Sequence, residues 1–541
     1  MKAIKLSKRQ RIILYWLAFA LLLSSFLAYG LTFIDQHSFV IEGERYFTLF
    51  DDAMISMRYA HNLAEGHGLV WNAGGERVEG FSNPLWVLVM ALAHMITIPY
   101  PHTSLAIKLL ALLLMASNLF AVRKLASLFT DNPFFQLLTV FFTAFYFPVN
   151  NWALLGMEVS LIVLLVNLAL ISAIQDLQHN KASRRPYVLL GVATLVRVDA
   201  AVILVALALG LMLVDRPRLR FHLQWAALSL AIFVGGQTLF RLIYYGELLP
   251  TTAVLKLSGI STVLRASLGL RAFLDFMVLF NWALFLLPFI AVLFQRKRGA
   301  GILLLVIFMQ VVYSIYVGGD SWEHIGGANR FIASVMPLFF ISFVLSLETI
   351  SKKFQDRFSL TGFRELGLGL VVVAFSVGAL VNFNDMRLAD GHLRWTLQKK
   401  LPLREGAERF TRVAITLDRF TQPDAKIAVV AAGAIPYYSD LSSIDLLGKN
   451  DPLVAAGTMR INSSLFHIDN FRPGHNKWDY EYSIGQLKPD VIAQLWEDTE
   501  KDFEPFADLY TLYYINDLPF YIHNDSVLIT RDALPEPHTN Q

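Results

Sequence analysis

The chain has 541 residues, of which 55% are hydrophobic and 16% charged, and its formal charge is +3. A mean hydropathy of +0.49 is far above that of a soluble globular chain, so most of the sequence must lie in lipid and membrane lipids are its first partner. The small, dispersed charge excludes a nucleic-acid-binding domain, and the absence of cysteine excludes disulfides, thiolate metal sites and cysteine nucleophiles.

The amino end is basic from Lys2 to Arg11 and then apolar from Ile13 to Phe33, with no small-residue cleavage pattern. That run is long enough to span a bilayer and reads as a retained first helix. Further apolar runs follow at 105–122, 134–150, 157–175, 187–214, 222–243, 272–294, 300–317, 331–349 and 362–382. Basic clusters separate them: Lys2 to Arg11, Arg123/Lys124, Lys181/Arg184/Arg185, Arg216/Arg218/Arg220, Arg296/Lys297/Arg298 and Lys352/Lys353/Arg357. The excess of lysine and arginine in cytoplasmic loops puts all six inside.

Parity then constrains the rest. The run 187–214 is basic at both ends, so it enters and returns as two short helices with a turn near Arg197, Val198 and Asp199. Pro84 to Pro99 cannot cross, and lies along the outer interface or dips into it. The expected fold is a polytopic α-helical membrane protein with about eleven transmembrane helices and its amino end in the cytoplasm. A membrane module, 1–383, carries the first outer loop, 34–104. A periplasmic domain, 384–541, mixes helical spacing at 407–420 with strand-like segments at 426–430 and 490–494, which reads as α/β.

The first outer loop holds the chemistry. Its run FDDAMISMRYAHNLAEGHGLVWNAGGERVEGFSNPLW extends from Phe50 to Trp86, with a helix over about 51–65 stopped by Gly66 and Gly68. At about 100° per residue, Asp51, Arg58 and Asn62 share one stripe, with Asp52 and Tyr59 about 90° round from it. Asn72, Glu76, Glu79 and Asn83 follow. One reading has Asp51 and Asp52 capping the helix, with Arg58 paired to Asp51. The other has one aspartate doing chemistry, because two acids and two glutamates beside a membrane exceed what one helix end requires. No His-x-x-x-His spacing appears, so no cofactor is expected, a divalent metal being the alternative.

The run resembles the GT-C glycosyltransferases, which take sugars from polyprenyl phosphates, and within them the terminal β-1,2-arabinofuranosyltransferase family. Asp51-Asp52-Ala53, Arg58-Tyr59, Asn62-Leu63, Gly66 through Asn72, Glu76 through Gly80 and Asn83 through Trp86 carry the resemblance. Weaker echoes stand at Gly156-Met157-Glu158, Arg197 through Ala200, Tyr244 through Pro250 with Lys256, Gly318-Gly319-Asp320, Arg330-Phe331, Gly433 through Tyr438 and Asp445 through Gly448.

The resemblance implies a GT-C fold and transfer, with inversion, of one sugar from a polyprenyl-phosphate donor to a glycan or glycolipid acceptor. The reaction would take place on the periplasmic face of the inner membrane. Such a displacement needs a base for the acceptor hydroxyl and cations for the departing phosphate. Asp52, ahead of Asp51, is the expected base. Arg58, Arg197, Lys256 and Arg330 are the phosphate candidates, and Asn62, Asn72, Glu76, Glu79, Asn83, Asp199 and Asp320 complete the expected substrate-binding set. A transporter of a lipid-linked saccharide is the alternative, for which no inverted repeat is visible.

Overall fold

The computed structural model describes residues 7–538 other than 97, 293–296, 324–328, 361–362, 386–389, 462–470 and 498. Lys2, Lys5 and Arg296 of the basic clusters lie outside the described residues.

Helices occupy every apolar run. Among the described residues, six are long and apolar enough to cross a membrane: Lys8–His37, Tyr100–Ser127, Val159–Gln178, Arg216–Tyr245, Ala300–Val317 and Arg364–Phe383. Two bent pairs, Pro133–Phe145 with Phe147–Leu154 at 51° and Thr262–Leu279 with Trp282–Ala291 at 94°, bring the number to as many as eight where each pair is one span. The chain is a multi-pass membrane protein.

Each break has a cause. Pro148 cannot donate into the preceding turn, so the run 134–150 bends at Tyr146, where Asn384 repairs the backbone by accepting from the Phe147 N–H at 2.8 Å and donating to the Phe145 carbonyl at 2.8 Å. The run 272–294, read from the sequence as one span, turns sharply at Asn281, whose φ of 69° ends one helix while its side chain caps the next at Ala283. The expected hairpin in 187–214 is present as Arg185–Val196 and Ala200–Val214, turning at Arg197 to Asp199. Pro84–His94 is an 11-residue helix, too short to cross.

The basic clusters gather at one end of the bundle. Arg123 donates to the Tyr15 hydroxyl at 3.3 Å, Arg298 to the Leu177 carbonyl at 3.2 Å, and Lys297 to the Phe129 carbonyl at 2.5 Å. Lys297 and Lys352 both reach Glu348, at 3.6 and 2.6 Å.

At the other end, the acidic loop meets the C-terminal domain. A short hairpin, β1 (Phe39–Ile41) with β2 (Glu44–Tyr46), precedes the helix Asp51–Ala64. Helix Arg404–Leu417 leads into the domain's five strands: β3 (Lys426–Val429), β4 (Ser442–Asp445), β5 (Val491–Ile492), β6 (Tyr510–Ile515) and β7 (Leu518–His523). They lie in the order β4-β3-β5-β7-β6, parallel across the first three and antiparallel thereafter. The sequence pattern indicates the helix Arg404–Leu417, β3 and β5; β4 and the β6–β7 hairpin are additional. Aromatic packing locks domain to loop: Tyr437 stacks on Tyr100 with ring centres 4.7 Å apart, beside His61 and His94.

Candidate active site

The helix Asp51–Ala64 begins at Phe50, whose N–H donates to the Leu155 carbonyl at 2.9 Å, and no side chain caps it. The capping reading of Asp51 and Asp52 is therefore overturned. Both carboxylates point away from the helix end to partners distant in sequence.

Asp51 accepts from the Ala434 N–H at 2.8 Å. The contact is so close that a Cβ on Gly433 would fall 2.0 Å from the Asp51 carbonyl oxygen, so only glycine fits. Asp51 thus ties the membrane module to the C-terminal domain. Asp52, one residue on, faces a cavity of about 160 Å³. One of its oxygens accepts from Arg330 at 2.9 Å and the other from Lys449 at 2.8 Å.

Arg330 is itself fixed. Its Nε and second Nη donate to Asp320 at 2.8 and 2.9 Å, its backbone N–H donates to the same carboxylate at 3.0 Å, and its guanidinium lies 5.3 Å from the Trp152 ring. Asn329 caps the short helix that begins at Arg330, accepting from Phe331 and Ile332. Arg197 reaches the cavity from the tip of the helical hairpin, bidentate on Asp199 at 2.9 Å for both bonds, 3.6 Å from Glu158 and 4.8 Å from the Phe331 ring. Asn83 joins the same wall, donating to Glu158 and accepting from Ser56, both at 3.0 Å.

Lys256 enters from the helix Thr251–Leu257. Among the described residues its ammonium has no hydrogen-bond partner, although Asp320 and Asp52 attract it. Ile55, Phe81, Met157, Leu257, Tyr313 and Val317 supply apolar walls.

The cavity therefore brings together Asp52, Asn83, Arg197, Asp199, Lys256 and Arg330, with Asp320 behind Arg330. Asp51 is adjacent but turned away, and five other expected residues lie outside. Arg58 does not pair with Asp51. It is buried against Asp440, with Nε donating to the Trp71 carbonyl at 3.0 Å. Asn62 closes the loop by donating to the Val70 and Trp71 carbonyls at 2.9 Å. Asn72 makes a two-way amide pair with the Ser443 backbone at 2.8 and 3.1 Å. Glu79 is buried in an ion pair with Arg241, and Glu76 is exposed to solvent.

The cavity residues that the sequence pattern does not point to include Lys449 and His475, both in the C-terminal domain. The only local signal for Lys449 was the Asp445-Leu446-Leu447-Gly448 run immediately before it. His475 had none.

The charges reshape one another. Burial alone would raise the Asp52 carboxyl, but Lys449 and Arg330 hold it well below the usual carboxylate range. Asp51 has no such paired cations, and burial pushes it up to about 6 against the pull of Lys449. Burial lowers the Lys256 ammonium to about 8, with Arg330 adding to the effect. Burial, reinforced by Lys449, lowers His475 to about 3, so its ring is neutral. Among the described residues, no group of three or more histidine or acidic side chains is placed to share a metal ion.

The helical bundle with its outer sheet domain makes the chain a polytopic membrane protein, and its fold is the GT-C membrane fold seen in solved structures. The chain is similar in fold to ArnT from Cupriavidus metallidurans. In its apo state ArnT aligns over 93% of this chain and 98% of its own, with a TM-score of 0.56 and 13% identity. Bound to undecaprenyl phosphate it aligns over 96% and 99%, with a TM-score of 0.57 and 11% identity. The archaeal oligosaccharyltransferase AglB from Archaeoglobus fulgidus aligns over 93% of this chain and 74% of its own, at 12% identity and a TM-score of 0.48. A family described as a domain of unknown function (DUF8728) matches residues 399–525, which is the C-terminal sheet domain. No curated protein matches the chain.

Proposed function

We propose that the protein is a glycosyltransferase of the inner membrane, moving one sugar from a polyprenyl-phosphate donor to a glycan or glycolipid acceptor on the periplasmic side. The observation that carries this reading is a single cavity in which an ionised carboxylate, Asp52, stands among Arg330, Lys449 and Lys256, the last with no hydrogen-bond partner among the described residues. That ArnT, with the same fold, has been seen with undecaprenyl phosphate supports the choice of donor. The first-loop resemblance supports arabinofuranose as the sugar.

In the proposed reaction the acceptor hydroxyl oxygen attacks the anomeric carbon from the face opposite the phosphate. The carbon–oxygen bond to phosphate breaks, its electron pair leaves with the polyprenyl phosphate, and the acceptor proton passes to Asp52. The result is inversion. Lys256 and Arg330 stabilise charge on the departing phosphate, a task suited to preorganised cations in a cavity shielded from water. The apolar wall at Tyr313, Val317 and Leu257 gives the first isoprene units a path between helices.

The test is to incubate the purified protein with a panel of polyprenyl-phosphate sugars and envelope acceptors and to identify the products by mass spectrometry. The expected result is a glycosylated acceptor and free polyprenyl phosphate, both lost in Asp52→Asn. If no sugar is cleaved while a lipid-linked saccharide crosses the bilayer of proteoliposomes, the transporter reading replaces this one.

A further inference from the structure

The C-terminal domain reaches the cavity through a loop built to hold one side chain. The Asp445 carboxylate, 1% exposed, accepts from the N–H groups of Leu447 at 3.0 Å, Gly448 at 3.1 Å and Asn450 at 2.7 Å, and from the Asn450 amide at 3.0 Å. Gly448 sits at φ +79°, where a Cβ would lie 2.8 Å from the Ala455 nitrogen, so the turn requires glycine. The membrane module clamps the loop from outside. Tyr59 donates to Asn450 at 3.1 Å, and Gly80 approaches so closely that a Cβ would fall 1.8 Å from the Asn450 side-chain oxygen. What this clamped turn presents to the cavity is Lys449.

The two cations on Asp52 are held differently. Arg330 spends three further donors on Asp320 and has no freedom to leave. Lys449 has Asp52 as its one hydrogen-bond partner among the described residues, at 2.8 Å, and an ammonium carries three donors. Its four-carbon stem lets the charge swing while the turn stays fixed. A second loop of the same domain covers the neighbouring lysine, since a Cβ on Gly474, at φ +83°, would lie 3.3 Å from the Lys256 Cε.

We propose that the C-terminal domain supplies a phosphate-binding side chain to the site: Lys449 is the counter-ion that Asp52 gives up, wholly or in part, when the donor phosphate enters between Lys449 and Lys256. The inference rests on the proposed polyprenyl-phosphate donor and assigns a role to the domain that a family of unknown function matches. It also couples binding to chemistry. While both cations remain, Asp52 is too weak a base. A phosphate that draws Lys449 away removes one of them, and the carboxylate gains proton affinity at the moment the acceptor proton must be taken.

The experiment measures binding of undecaprenyl phosphate, with undecaprenol as the uncharged control, to the full-length protein in detergent. Lys449→Met is expected to weaken phosphate-lipid binding by about tenfold or more and leave undecaprenol binding unchanged, while Lys449→Arg stays within about threefold of wild type. Because Lys449→Met leaves a carboxylate short of a partner, the comparison is repeated where that acid is absent. Asp52→Asn/Lys449→Met should bind the phosphate lipid about tenfold more weakly than Asp52→Asn. In turnover assays Lys449→Met should move the acid limb of the pH profile of kcat/KM to higher pH, because Asp52 loses a cation that held its proton affinity down. Equal phosphate-lipid affinity of the double and single variants overturns the role of Lys449 and leaves the donor reading intact. A wild-type protein that binds undecaprenyl phosphate no better than undecaprenol overturns both.

Discussion

Arg330 couples Asp52 to Asp320: one Nη of the guanidinium lies 2.9 Å from Asp52, while its Nε and other Nη hold Asp320 at 2.8 and 2.9 Å. The carboxylate proposed as base is thereby oriented by a cation that is itself immobile. Asp52→Asn keeps the shape and one acceptor oxygen but cannot take a proton. Turnover should fall by about 10²- to 10⁴-fold in protein that still folds, with a lower melting temperature because Arg330 and Lys449 lose their charged partner, measured by product formation and thermal unfolding in parallel. Near-normal transfer in a folded Asp52→Asn protein would remove the base from this loop.

Asp51 should respond to pH rather than to substrate. Its carboxyl is raised to about 6 from the ordinary 3.8, so the folded chain holds this proton more tightly than the unfolded one does. The stability it contributes is fully present below pH 3.8 and is lost as pH rises through about 6. Asparagine has no proton to lose and can still accept from Ala434. Asp51→Asn should flatten the melting temperature between pH 4 and 6 and preserve transfer. Unaltered pH dependence would contradict the assignment.

Lys256 offers the converse case. With no hydrogen-bond partner among the described residues, its loss breaks no ion pair, so Lys256→Met should fold with a normal melting temperature. A charge-assisted hydrogen bond contributes about 1.5–3 kcal/mol, so donor affinity should fall by about ten- to a hundredfold. Titration with polyprenyl phosphate measures it, and wild-type affinity in this variant would take Lys256 out of the site.

Glu79 belongs with folding, not with substrate. Glu79 and Arg241 are each 6% exposed at the side chain, and the Glu79 carbonyl also accepts from the Thr251 N–H at 3.1 Å. Removing one partner of a buried pair costs about 3–5 kcal/mol. Glu79→Ala should therefore melt substantially lower than wild type, while Glu76→Ala, at an exposed position, should melt as wild type does. Matching melting temperatures for the two variants would show that the ion pair contributes little.

Orientation in the membrane can be read directly. The basic clusters linked through Glu348, Leu177 and Phe129 lie at the end opposite the acidic loop. Reporter fusions after Lys124, Arg185 and Lys352 should report cytoplasm, and one after Arg394 the periplasm. A cytoplasmic signal after Arg394 would invert the proposed topology.

Local pattern was enough for some of this architecture. Hydropathy located the helices, because a lipid-exposed segment must be apolar and must satisfy its own backbone, and two basic flanks were enough to split 187–214 at Arg197 to Asp199. Gly66 and Gly68, at φ +87° and +88°, stop the acidic helix as their lack of a Cβ suggested. The helical period also separated Asp51 and Asp52 by about 100°, but period says which face a residue occupies and not what covers that face. Packing of distant segments decided that: Arg330 and Lys449 meet Asp52 from 278 and 397 residues away, and Ala434 meets Asp51 from 383. The same packing withdrew Arg58, which shares a stripe with Asp51 yet is buried against Asp440 at a separation of 382 residues. A charge beside a membrane reads alike in sequence whether it holds a fold together or faces a substrate; only the side chains that close around it distinguish the two.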